Sequence, residues 1–93
     1  MNTQQRIIGI TNAMQQVLLE KNKRYGDSAL APKRRFSKLD SVQGILIRLD
    51  DKMNRIEQSD ELRTNDICDM IGYLNLLLIA KGVTEEEILK LID

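Results

Sequence analysis

The sequence contains no histidine, one cysteine, one proline and three aromatic residues, and no charge of either sign is in excess. Without histidine the usual general base near neutral pH, the Cys-His nucleophile pair and most zinc sites are removed. A single cysteine, Cys68, cannot close an internal disulfide, and among apolar neighbours it reads as a small core residue rather than a nucleophile. Neither a G-x-x-x-x-G-K-S/T loop nor a G-x-G-x-x-G turn occurs. Lys+Arg and Asp+Glu both number 14, so there is no global basic field. Bulk nucleic-acid binding is therefore not expected, and electrostatic recognition has to be local. The longest apolar stretch, "LLLIA" at Leu76 to Ala80, is far short of a membrane span. The amino-terminal "MNTQQRIIGITNAM" has neither a basic start nor a continuous apolar run. A cytoplasmic protein with no membrane partner is the expectation.

Helical periodicity is what the chain does have. Ile7, Ile10, Met14, Val17 and Lys21 share one face, widened by Leu18, and predict a helix over about residues 3 to 24 with Gly26 as its stop. Val42, Ile45, Leu49, Met53 and Ile56 predict a second near 40 to 58, with Asp40 and Gln43 in capping-box register. A third runs from a Thr64 cap through Ile67, Met70, Ile71, Leu74, Leu77 and Leu78 to Gly82, and a short fourth opens at Thr84 and Glu87. The fourth is expected to pack across a neighbour, and the four methionines to lie in the core.

The fold class that follows is all-α: one domain over residues 1–93, a small bundle of three main helices plus a short C-terminal one. The third helix is apolar almost all round after Tyr73, and a chain of 93 residues buries only a modest core. Oligomerisation, as a dimer or higher, is expected to complete the bundle.

The polar positions carry the functional signal, and each has two readings. Asp50 and Asp51 on the second helix and Asp66 and Asp69 on the third could be brought together by the short "EQSDELR" turn, as in bundles that collect carboxylates around Mg²⁺. The alternative is ordinary ion pairing of Asp51 with Arg48 and Arg55, with Asp66 complementing the helix dipole. Arg48, Lys52 and Arg55 form a basic ridge that could hold phosphate oxygens or could be a solvated face. The loop "KNKRYGDSALAPKRRF" adds Lys33, Arg34 and Arg35 and holds Tyr25 and Phe36; Tyr73 stands one turn beyond Asp69. Aromatics beside arginines suit base stacking with phosphate neutralisation. Packing of Tyr25 at a helix end and of Phe36 as a hydrophobic staple is the other reading. Asn22, Asp27, Ser28 and Asn75 could bond a base or ribose, or could serve as caps and turns.

The segments "YGDSALAP", "FSK", "GILIRLDDKMNRI" and "NDICDMIGYLNLL" together resemble small phage and prophage proteins of the nucleotide modification associated domain type. Those are similar to the all-alpha nucleoside triphosphate pyrophosphatases, the MazG-like group, and the resemblance spans about Lys21 to Lys81. It implies nucleotide handling by an oligomeric helical bundle in a host cytoplasm, with Mg²⁺ held between acidic residues of two helices in the catalytic relatives. Asp50 and Asp51 match the first acidic pair of that pattern and Asp66 and Asp69 the second, while Asn54 stands where a further glutamate belongs. The loss of that ligand weakens hydrolysis more than binding, since Arg48, Lys52 and Arg55 can still neutralise phosphates. The resemblance also turns the loop into a nucleotide-covering lid through Tyr25, Asp27, Ser28, Arg34, Arg35 and Phe36. Three functions are compatible with these residues. The first is a sponge that sequesters a cyclic or modified nucleotide signal of host antiviral defence. The others are a Mg²⁺-dependent nucleoside triphosphate pyrophosphohydrolase and a protein-interaction module.

Overall fold

The computed structural model describes all 93 residues, and they form helices and no strands. In chain order these are α1 (Thr3–Tyr25), α2 (Ser41–Gln58), α3 (Thr64–Ala80) and α4 (Glu85–Leu89), followed by a 3₁₀ turn over Lys90–Ile92. Local chemistry sets most of the boundaries. Asn2 caps α1 with a reciprocal pair: its Oδ1 accepts from the Gln5 amide at 2.8 Å, and Gln5 Oε1 accepts from the Asn2 amide at 3.0 Å. Gly26 ends α1 at φ 65°, a conformation other residues rarely adopt. Asp40 caps α2 by accepting from the Gln43 amide at 2.8 Å, so only one half of the capping box forms there. Thr64 is the first helical residue of α3 rather than its cap, and Arg63 takes the cap position without a side-chain bond. At the other end, Gly82 at φ 74° allows its amide to reach Ile79 O at 2.9 Å and the Val83 amide to reach Leu78 O at 3.0 Å. That is a Schellman ending.

α2 and α3 fold back on each other as a hairpin and make the most extensive contact between elements. Ile45, in the second turn of α2, is the fully buried side chain of this core, 1% exposed. α1 crosses α3 with its C-terminal half, where Leu18 Cδ2 comes within 2.9 Å of where a Cβ on Gly72 would stand. The N-terminal half of α1 projects away, leaving Ile7, Ile8 and Ile10 exposed. α4 leans on no helix of its own chain, contrary to the expected packing, and contacts only the 3₁₀ turn. None of the methionines is buried; Met14 and Met70 are half-buried, Met1 and Met53 exposed, and Cys68 is half-buried. No single helix is long and apolar enough to cross a membrane.

The inward face of α3 is the unexpected feature. The residues it turns toward α2 and α1 are Asp66, Asp69, Tyr73, Leu76 and Ala80, all buried or half-buried at helical spacing. The face it turns outward carries Ile67, Ile71, Leu74 and Leu78, each 40% exposed or more. The accessible surface is accordingly 8008 Å², against about 5,500 Å² for a compact chain of this mass. The radius of gyration, 15.1 Å, likewise exceeds the roughly 12 Å of a compact domain of this length.

Two glycines separate propensity from packing. Gly9 on α1 faces open space, so Gly9→Ala is expected to stabilise the fold by about 0.5–1 kcal/mol in urea denaturation. Gly72→Ala gains the same propensity but pushes against Leu18, and is expected to fall short of Gly9→Ala or to destabilise. Equal gains at both positions would mean that α1 does not rest on α3.

Candidate functional site

Two carboxylates on the inward face of α3 need partners, and lysines from the other two helices supply them. Lys52 Nζ of α2 lies 2.7 Å from Asp69 Oδ2 and 3.8 Å from Asp66 Oδ1. Lys21 Nζ of α1 donates to Asp69 Oδ1 at 3.0 Å. The Lys52 and Asp69 side chains are only 13% and 15% exposed, whereas Lys21 is half in solvent. This cluster joins α1, α2 and α3, and no buried side-chain nitrogen or oxygen lacks a partner. Burial raises the Asp69 carboxyl pKa; hydrogen bonds from Lys52 and Lys21, with their charges, more than offset this and hold it below the ordinary 3.8.

Two chambers open beside the cluster. The first, of about 280 Å³, lies between the C-terminal half of α1 and α3. Met14, Val17, Leu18 and Leu76 give it an apolar floor, and Lys21, Asn22, Asp27 and Asp69 a polar rim. Asn22 Nδ2 donates to Asp27 Oδ1 at 3.3 Å, and the Asp27 carbonyl accepts from Leu30 and Ala31, which folds the loop over this end. The second chamber, about 340 Å³, lies between the loop and α2 and contains Arg34 and Arg48. Tyr25, Ser28, Ala29 and Tyr73 line both, so the two adjoin. Each is close to the lower end of small-molecule sites, about 300–1,000 Å³. Arg34 lies over the first turn of α2, its guanidinium in the space that a side chain at Gly44 would take. Neither Arg34 nor Arg48 has an acidic partner within 4.0 Å.

The structure brings together some of the residues singled out from the sequence and not others. Tyr25, Asp27, Ser28 and Tyr73 line the first chamber, and Tyr25, Ser28, Tyr73, Arg34 and Arg48 the second. Arg35, Phe36, Lys52 and Arg55 line neither, and Phe36 stands wholly in solvent at 101% exposure, neither staple nor stacking surface. Asp66 and Asp69 are paired with lysines. Asp50 and Asp51 lie on the exposed side of α2, and no three carboxylates group together. The surface ion pairs of Asp51 with Arg48 and Arg55 do not form. Lys21, absent from the sequence-derived site, proves central. Its signal was its place at the end of the Ile7, Ile10, Met14, Val17 stripe, where an inward-facing ammonium requires a carboxylate.

The lowered carboxyl of Asp69 sets an acid limit. A group whose folded pKa is depressed contributes stability above its unfolded value, lost as pH falls through the folded one. The melting temperature is therefore expected to fall on acidification below about pH 4. Asp69→Asn should melt lower at neutral pH and show a shallower acid decline; parallel acid profiles for the two proteins would contradict the pairing.

Comparison with family models, with curated proteins and with solved structures finds no match to this chain.

Proposed function

We propose that the chain captures a nucleotide, with the base in the chamber lined by Tyr25 and Tyr73 and the phosphates facing Arg34 and Arg48. One observation carries this reading. The two chambers adjoin at two tyrosines, one side apolar with polar acceptors at its rim, the other holding two arginines without acidic partners. Aromatic faces take a base of any kind, and unpaired guanidinium groups take phosphate oxygens in bidentate geometry. Arg34 also lies at the positive end of α2, so an anion there meets the helix dipole as well. Asp66 and Asp69 are engaged by lysines, and this favours capture over Mg²⁺-assisted hydrolysis. In the phage setting that the resemblance implies, capture without turnover amounts to sequestration of a cyclic or modified nucleotide signal.

A second copy of the chain belongs to the same proposal. Ile67, Ile71, Leu74 and Leu78 repeat at the four-three-four spacing of a helical seam and face outward. The roughly 2,500 Å² by which the surface exceeds that of a compact chain is the scale of an obligate interface.

A thermal-shift panel of linear and cyclic nucleotides, followed by chromatographic recovery of the ligand, tests capture. At least one nucleotide should raise the melting temperature and be recovered intact. Arg34→Ala or Arg48→Ala should weaken its binding by roughly tenfold to a hundredfold. The reading fails if no nucleotide shifts the melt. Light scattering on the eluting protein tests association: a dimer or higher is expected, and Ile71→Asp with Leu74→Asp should break it down. A monomeric parent protein would remove the second copy from the account.

A further inference from the structure

We propose that the carboxylate pair at the head of α3 takes its counter-ions from the chain itself, the ammonium groups of Lys52 and Lys21 standing where the family resemblance implies a divalent cation. This inference concerns the charges of the chain alone and holds whether or not a nucleotide is captured.

The residues present do not fit a magnesium site. Mg²⁺ requires near-octahedral oxygen ligands at about 2.0–2.1 Å. Here both oxygens of Asp69 are already engaged, Oδ2 by Lys52 at 2.7 Å and Oδ1 by Lys21 at 3.0 Å, and Asp66 Oδ1 faces the same Lys52 at 3.8 Å. No third carboxylate joins them, since Asp50 and Asp51 lie on the exposed side of α2. The adjacent position that could have added one is neutral Asn54, also exposed. Lys52 is only 13% exposed, held inside the hairpin by its place on the Ile45, Leu49, Ile56 stripe of α2. A divalent ion at Asp66 and Asp69 would sit against that ammonium, and like charges at such range repel strongly where water is scarce. The charge count is also complete: two ammonium groups offset two carboxylates, so the cluster is neutral without an added ion.

Thermal melting in Mn²⁺ and Mg²⁺, against sodium chloride of equal ionic strength and against chelator, tests the proposal. The parent protein should melt at the same temperature in all of them. Lys52→Met keeps most of the unbranched side chain and removes its charge; it should melt lower and regain at least about 5 °C in roughly 10 mM Mn²⁺. Lys52→Arg should remain indifferent to divalent ions. The proposal is overturned if Mn²⁺ raises the melt of the parent and Asp69→Asn abolishes the rise, or if folded Lys52→Met shows no divalent response. If Lys52→Met does not fold, the comparison of the parent with Asp69→Asn decides.

Discussion

The ammonium of Lys52 between Asp69 and Asp66 is the contact on which the arrangement of the helices depends. α3 turns carboxylates inward at Asp66 and Asp69, where a helix of a small bundle would ordinarily present leucines. Buried carboxylates without partners would cost several kcal/mol, so only a packing that brings cations to them is stable. α2 supplies one from its own apolar stripe, and α1 supplies the second through Lys21. A slip of one turn in the hairpin would leave Lys52 and Asp69 without each other. The cluster therefore favours one register of the hairpin over its neighbours.

Polar groups on the inside of α3, beside Leu76 and Ala80, leave a row of its large apolar residues outside. Ile67, Ile71, Leu74 and Leu78 form the outward face, α1 leaves Ile7, Ile8 and Ile10 uncovered, and Leu89, Leu91 and Ile92 stand free at the C-terminus. The same inversion shapes the chambers. α1 meets α3 at Leu18, Lys21 and Gly72, and the loop that follows Gly26 lies against α2, with Arg34 over Gly44. Tyr25 and Tyr73 both line the two chambers that this crossing leaves.

Much of this was legible in the sequence. The helices run within a few residues of their periodic patterns; Gly26 stops α1 and Gly82 ends α3 at positive φ, as their positions suggest. Burial was harder to read, because adjacent residues on a helix compete for the inward direction. On α2 the sequence pattern favours Met53 over Lys52, yet Met53 is exposed and Lys52 points inward, since only Lys52 can meet Asp69. The same logic misplaced the core of α3: Ile67 and Ile71 look like core residues until the carboxylates beside them are given their lysines. Phe36 shows a different limit, as nothing in its neighbourhood says that the loop leaves it in water. Of the residues that line the chambers, Tyr25, Asp27, Ser28, Arg34, Arg48 and Tyr73 are singled out by residue type only with the help of the family resemblance, and their division into two adjoining chambers depends on how α1 crosses α3.

The most direct measurement of this account is a double-mutant cycle on Lys52 and Asp69, using Lys52→Met and Asp69→Asn in chemical denaturation. Each single change leaves the other member of the pair without its main partner, and the double change removes that cost, leaving only the loss of Lys52 at Asp66 and of Asp69 at Lys21, which each single change already carries in part. The account requires the double mutant to be less destabilised than the two singles combined, with a coupling of about 1–3 kcal/mol. Additive effects would contradict it, and would show that the inward carboxylates of α3 do not organise the fold.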